Sequence, residues 1–177
     1  HIAKQFGYPV FNADLEVSKL YKNSKKCYLK LKKKLPGYLT SYPIKKTELL
    51  KAIIDKNNNL KKIIKIIHPE VRLKMNSFIK KNKNKKFVIL DVPLLMENKI
   101  YKKKDVLIYI ESNKKEIYKR LKKRPNFDPK VYSRLKKFQL SLETKKKKSK
   151  YIIKNNFKNH SVKKNVKSIL KKIIRNA

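Results

Sequence analysis

The sequence contains few acidic residues, few glycines and almost no cysteine: its 177 residues include 12 Asp plus Glu, two Gly and one Cys. A single cysteine, Cys27, can form neither an internal disulfide nor a thiolate metal cluster, which favours a cytoplasmic location. The longest uninterrupted apolar run has five residues, whereas a membrane-spanning helix needs about 20. The sequence therefore predicts no membrane span. Its two glycines, Gly7 and Gly37, cannot build a glycine-rich phosphate-binding loop.

Basic residues are as abundant as acidic ones are scarce, with 51 Lys plus Arg and a formal charge of +39. Only five of them are arginine, whereas nucleic-acid-binding proteins more often cluster Arg with aromatic residues on one face. The charge is therefore a weak indication of a nucleic-acid partner. A solvated lysine-rich surface explains it, although an anionic small substrate or a polyanion would also be attracted by it.

Short apolar runs alternate with amphipathic segments, a distribution that argues against disorder. Strands are predicted at 9–13, 87–92, 105–111 and 151–153. Helices are predicted at 17–35, 47–55, 60–67, 70–81, 114–123 and 162–174, with a bend at His68 and Pro69, and residues 1–6 have the pattern of the end of another helix. Strands that alternate with helices predict an α/β fold with a parallel sheet and flanking helices.

Acidic residues at strand ends are the first candidates for a site, because ligands of open parallel sheets bind outside the carboxyl ends of the strands. Asp14 and Asp91 follow two different predicted strands. Either could instead cap a helix or pair with a neighbouring lysine, and the residues alone leave both interpretations open. Glu97, in the loop after the second strand, is a third candidate that could equally be an ordinary exposed residue.

One histidine and three arginines complete the candidates. His68 precedes a proline between two predicted helices, where an imidazole can bind a backbone group, a ligand phosphate or a ribose. The other histidines and Cys27 have no companions at metal-ligand spacing, so no protein-held metal site is predicted. Arg120, Arg124 and Arg134 surround a proline-containing loop. This arrangement is typical of a lid that presents guanidinium groups to phosphate, although a basic helix surface would look the same.

Four short motifs occur in an order and spacing that resemble the dephospho-coenzyme A kinase family over essentially the whole chain. The most specific is residues 91–98, DVPLLMEN, which resembles the D-x-P-L-L-x-E segment of that family. The others are His68-Pro69 followed by Arg72, which matches an H-P motif; residues 12–14, NAD, which are similar to D-A-D; and the spacing of Gln139, Lys145 and Asn155.

The resemblance implies a P-loop kinase fold in one domain over residues 1–177. That domain would contain a helical acceptor-binding region at 17–84 and a lid at 120–148. The family's first strand, which is central in its sheet, and its phosphate loop would lie upstream of His1, so a truncated domain that lacks both is expected. Asn12 stands where D-A-D has its first Asp, and Lys46 stands where an Arg is common.

The function implied by the resemblance is transfer of the γ-phosphoryl group of ATP, with Mg²⁺, to the ribose 3′-hydroxyl of dephospho-coenzyme A. Asp14 would face that hydroxyl, while Arg120, Arg124 and Arg134 would hold phosphate charge. The implied substrate-binding residues are Lys46, His68, Arg72, Asp91, Pro93, Leu94 and Glu97, and the implied ATP-binding residue is Asn155. The alternatives are another nucleotide monophosphate kinase, which the Pro93-Leu94-Leu95 segment disfavours, and a basic, non-catalytic RNA- or ribosome-associated protein. The oligomeric state does not follow from the sequence.

Overall fold

The computed structural model describes residues 6–125 and 127–175. Its strands are β1 (Val10–Asn12), β2 (Ile89–Asp91), β3 (Ile108–Glu111) and β4 (Tyr151–Lys154). Its helices are α1 (Ala13–Asn23), α2 (Lys25–Lys34), α3 (Lys46–Asp55), α4 (Asn59–Lys81), α5 (Lys114–Lys122), α6 (Pro129–Lys137), α7 (Leu142–Lys148) and α8 (Asn159–Arg175). The helix expected at 1–6 lies almost wholly outside the described residues.

The chain divides into two compact units, one formed by 6–93 with 128–135 and the other by 94–127 with 136–175. Each unit contains one pair of parallel strands. In the first, β1 pairs with β2, so that Asn12 lies opposite Asp91. In the second, β3 pairs with β4, so that Glu111 lies opposite Lys154. The α/β fold with parallel strands and flanking helices is confirmed, but the described residues form two two-stranded sheets rather than one.

The first unit is held together by α4, which packs against α1, α2 and α3. Apolar residues three or four positions apart give α4 a continuous buried stripe, as expected for a helix that covers a core. The stripe consists of Leu60, Ile63, Ile67, Val71 and Met75. Strand β1 is anchored to the same helix through Phe11, whose ring centroid lies 5.6 Å from that of Phe78.

Three predicted helix boundaries were wrong, and each has a local cause. The first helix begins at Ala13 rather than at 17, because Asn12 caps it. The helix expected at 17–35 is two helices, because the Ser24 hydroxyl accepts a hydrogen bond from the Cys27 amide and begins α2. Conversely, α4 continues through Pro69. Proline removes only one helical hydrogen bond, and the apolar stripe keeps its spacing on both sides of it.

The second unit is built on β3 and β4, and α8 packs against β4. Two short helices, α6 and α7, lie in the segment expected to be a lid. Asp128 caps α6 by accepting a hydrogen bond from the Val131 amide at 2.9 Å. Residues 128–135 belong to the first unit and residues 136–148 to the second. The single domain, the helical acceptor-binding region at 17–84 and the lid at 120–148 stay predictions.

None of the helices in the described ranges is both long and apolar enough to cross a bilayer.

Asn59 is a buried polar residue that joins two helices of the first unit. Its side chain is 2% exposed, and its Nδ2 donates to the Ala52 carbonyl at 2.9 Å. We expect Asn59→Ala to lower the free energy of unfolding by about 0.5–1.5 kcal/mol, because the Ala52 carbonyl loses a buried hydrogen bond and keeps only the Lys56 amide as a donor. Asn57→Ala, at an exposed position in the same turn, is the matched control. Equal denaturation midpoints for the two variants would contradict this prediction.

Candidate active site

The carboxyl ends of β1 and β2 are tied together by one amide side chain. Asn12 Nδ2 donates to Asp91 Oδ2 at 2.9 Å. The Oδ1 atom of the same residue accepts a hydrogen bond from the Leu15 amide at 2.9 Å and caps α1. Asn12 therefore brings together the end of β1, the start of α1 and the exposed carboxylate of Asp91.

Asp14 lies two residues after this cap, in the first turn of α1, and is exposed. The amino terminus of a helix carries partial positive charge from its N–H groups, which attracts negatively charged side chains and ligands. Asp14 is thus a carboxylate presented to solvent beside the Asn12–Asp91 bond. This is the position at which a parallel sheet binds its ligands.

The residues predicted to bind the acceptor are spread over α3, α4 and the loop after β2. His68 is half-buried and Arg72 exposed in α4, and their spacing of four residues places them on the same helix face. Lys46 is the exposed first residue of α3. Pro93 is exposed at the end of the first unit, while Leu94 begins the second with a φ of 58°.

Glu97 lies in the second unit and connects the loop after β2 to the segment around α7. Its Oε1 accepts the Leu140 amide at 2.9 Å and lies 2.7 Å from Lys145 Nζ. The two charged side chains are only 10% and 18% exposed. Burial pushes the pKa of the Glu97 carboxyl upward, but the bonds from Lys145 and the backbone outweigh it and leave that pKa below its ordinary value. Glu97 is therefore an ionised structural anchor rather than an exposed loop residue.

The three candidate arginines have different surroundings. The guanidinium carbon of Arg120 lies 4.0 Å from the centre of the Phe157 ring, and its Nε is 3.6 Å from Glu116. Arg124, just beyond the end of α5, is exposed. Arg134 in α6 is half-buried, and its Nη1 atom is buried without a hydrogen-bond partner among the described residues. Arg120 and Arg124 belong to the second unit and Arg134 to the first.

Asn155 follows β4 and holds the turn that comes next. Its amide donates to the Glu111 carbonyl at 2.7 Å and so extends the ladder by one residue. Its Oδ1 accepts the Phe157 amide at 2.9 Å. Sequence reasoning missed Phe157, since nothing in a lone aromatic residue after two asparagines indicates that an arginine stacks on it.

The described residues fit an anion better than a metal ion. The buried Nη1 of Arg134 and the exposed guanidinium of Arg124 are donors suited to phosphate oxygens. Within 6–125 and 127–175, no three His, Cys, Asp or Glu side chains are grouped as a metal site. Mg²⁺ is usually held by one or two carboxylates together with substrate phosphates rather than by such a group, and no chemical step is assigned to it here.

Comparison with known proteins decides the family. The model of the dephospho-CoA kinase family matches residues 1–172. This chain belongs to the dephospho-CoA kinase family. A dephospho-CoA kinase of Wolbachia pipientis is 32% identical over 94% of this chain and 86% of its own length. One of Bartonella quintana is 31% identical over 98% of this chain and 89% of its own length.

Solved structures agree with that family fold. A Thermus thermophilus protein superposes with a TM-score of 0.71 at 20% identity and covers 97% of this chain and 87% of its own. A dephospho-CoA kinase from Campylobacter jejuni gives a TM-score of 0.62 at 22% identity. It covers 97% of this chain and 88% of its own. The predicted family is confirmed, and the RNA- or ribosome-associated alternative is not favoured. The roles of individual residues and the cytoplasmic location stay predictions.

The buried Glu97–Lys145 pair predicts a pH-dependent stability. Because the pKa of Glu97 is lowered in the folded chain from an ordinary value of 4.5, its contribution is fully present above about pH 4.5 and disappears as the pH falls through the folded value. We expect Glu97→Gln to lower the free energy of unfolding at pH 7 by about 1–3 kcal/mol. The difference from the unmodified protein should shrink on acidification below pH 4.5.

The exposed pair of Glu111 and Lys146, 2.8 Å apart, supplies the control. Urea unfolding at several pH values should show a smaller effect for Glu111→Gln, because solvent screens that pair. A Glu97→Gln penalty that is absent at pH 7, or that grows towards pH 3, would refute the structural role of Glu97.

Proposed function

We propose that this protein transfers the γ-phosphoryl group of ATP to the ribose 3′-hydroxyl of dephospho-coenzyme A, with Asp14 as the group that receives the hydroxyl proton. The observation that carries the proposal is the exposed carboxylate of Asp14 beside the Asn12–Asp91 bond, at the carboxyl ends of β1 and β2. The dephospho-CoA kinases that match the chain over most of its length support the substrate.

In this reaction the hydroxyl oxygen forms a bond to the γ-phosphorus, the bond from that phosphorus to the bridging oxygen breaks, and ADP leaves. Asp14 orients the hydroxyl group and accepts its proton. Because phosphoryl transfer passes through a loose transition state, positioning of the hydroxyl contributes more than the basicity of the carboxylate. Asp14 suits that task because it lies in the first turn of α1, whose start is fixed by the Asn12 cap.

Arginine side chains then stabilise the charge on the phosphate groups. The planar guanidinium offers several N–H donors in a fixed arrangement that matches phosphate oxygens. Arg134 supports this role because its Nη1 is buried without a partner in the described chain, and such a donor is costly unless a ligand binds it. Arg120 and Arg124 are proposed to act in the same way, and Asn155 to contact the nucleotide.

The acceptor is proposed to bind along the first unit. Arg72 and Lys46 supply positive charge for its phosphates, and His68 supplies a hydrogen-bonding imidazole. Asp91 and Glu97 hold the two ends of the Pro93-Leu94 segment, the first through Asn12 and the second through Lys145. These two acids act on the loop rather than on the substrate.

The ATP phosphates are proposed to be held mainly by a glycine-rich loop outside residues 1–177, with a divalent metal ion as the family implies. Only Gly7 and Gly37 are available within these residues, and backbone cradles for phosphate need several consecutive positions that tolerate unusual conformations.

Removing the charge of Asp14 should separate catalysis from binding. Asp14→Asn keeps the size of the side chain but cannot accept the proton, so we expect kcat to fall by roughly 10²- to 10⁴-fold, while KM for dephospho-coenzyme A changes little. Glu16→Gln is the matched control, because Glu16 lies in the same helical turn and pairs only with Lys19 at 2.6 Å among the described residues. Equal kcat values for the two variants would exclude Asp14 as the proton acceptor.

The glycine content gives a second test of the proposal. Residues 1–177 alone should show no ATP-dependent turnover, since positioning of the phosphates supplies most of the catalysis in this chemistry. Restoring an upstream segment that supplies the family's first strand and a glycine-rich loop ending in Lys-Ser or Lys-Thr should switch turnover on. Measurable turnover by the 177 residues alone would show that no further phosphate loop is required.

A further inference from the structure

Arg120 and Phe157 form a cation–aromatic pair in the second unit that none of the four sequence motifs explains. Arg120 lies in α5, and Phe157 lies three residues after the end of β4. Their separation of 4.0 Å, from guanidinium carbon to ring centre, is the shortest cation–aromatic distance in the described part of the chain; the next, Lys122 to Tyr118, is 4.9 Å. At this distance the cation lies over the face of the ring, well within the range of a cation–π interaction.

The backbone of Phe157 is in a conformation that its side chain disfavours. Its φ is +62°, in the left-handed region that glycine adopts freely and that a bulky residue rarely enters. Asn155 holds the turn through the Oδ1 bond to the Phe157 amide. Such conformations persist where the surroundings impose them, and they concentrate at functional sites. A glycine would satisfy the turn but would leave Arg120 without its ring.

The stack leaves the donor edge of Arg120 accessible. The N–H groups of a guanidinium point outward in its plane, whereas its faces are weakly hydrated and suited to aromatic rings. Phe157 covers one side of the guanidinium. Glu116 approaches Nε at 3.6 Å, and the Arg120 side chain is 56% exposed. Among the described residues no other carboxylate pairs with Arg120, so its terminal nitrogens are accessible to an anion from solvent.

We propose that Phe157 is a positioning residue for Arg120: its ring fixes the plane of the guanidinium so that the terminal N–H groups meet the phosphate oxygens of ATP. This inference rests on the proposed function, since it assigns the anion to the nucleotide. A flexible arginine would lose conformational entropy when it binds phosphate. An arginine already held by the ring loses less on binding, so the entropic cost of binding is lower. The strained backbone of Phe157 is kept because glycine cannot supply the ring.

The test is Phe157→Gly in the enzyme with its phosphate loop present. Glycine relieves the positive φ, so the melting temperature should stay the same or rise. Meanwhile kcat/KM for ATP should fall by roughly 5- to 20-fold, with KM for dephospho-coenzyme A within about twofold of its original value. Phe157→Tyr keeps the ring and should retain near-normal kinetics. A purely structural role would give the opposite pattern, with lower stability and equal effects on both substrates.

Two further variants make the result specific. Tyr118→Leu removes the ring beneath Lys122 on the same helix and should leave kcat/KM for ATP unchanged. In an Arg120→Ala background, Phe157→Gly should add less than about twofold, since the ring acts only through the arginine.

The outcomes distinguish this inference from the proposed function. If the unmodified enzyme transfers phosphate from ATP to dephospho-coenzyme A and Phe157→Gly does so equally well, the positioning role is refuted while the function stands. Full additivity of the Arg120 and Phe157 substitutions would also refute it. If the unmodified enzyme does not use these substrates, the proposed function fails. Unchanged ATP binding by Phe157→Gly, measured by calorimetry, would then refute the positioning role as well.

Discussion

The geometry of the candidate active site depends on the amide of Asn12. One side chain begins α1 by accepting the Leu15 amide and joins β1 to β2 by donating to Asp91. A carboxylate at position 12 could cap the helix equally well, but it would face the negative charge of Asp91. The amide therefore converts a contact between like charges into a hydrogen bond. Asp14, two residues later, is an exposed acidic residue of the same helical turn.

The first unit shows how a strongly basic chain builds a core. Helix α4 supplies one buried stripe that is shared by α1, α2 and α3, and the lysines of these helices lie on the opposite, solvated faces. Phe11 extends the same core to β1 through its contact with Phe78. Because the strand that carries Asn12 is anchored to the helix that carries His68 and Arg72, the acidic strand end and the basic helix face are parts of one packed body.

Periodicity and motif order were sufficient to predict the four strands, the parallel pairing and the family, because burial imposes a repeating pattern that survives heavy enrichment in lysine. The boundaries at Ser24 and Pro69 were not predictable in this way. The first depends on a single hydroxyl cap, and the second on whether a buried stripe outweighs one lost hydrogen bond. Glu97 was recognised as a candidate, but its partner Leu140 is 43 residues away, and no local pattern indicates such a contact. Phe157 was missed for the same reason, since its role depends on Arg120 and on a backbone angle that the residue itself disfavours.

The two small sheets have a consequence for the behaviour of the protein in solution. In the described part of the chain, β2 pairs only with β1 and β3 only with β4, so each pair leaves backbone groups that another strand could bind. Lysines precede three of these strands closely, at 80–86, 102–104 and 145–150. Two copies that approach edge to edge bring these lysines together, and their repulsion opposes pairing over about 10 Å at 0.1 M salt but only about 3 Å at 1 M. The positive surface charge thus opposes self-association, and this repulsion weakens as the ionic strength rises.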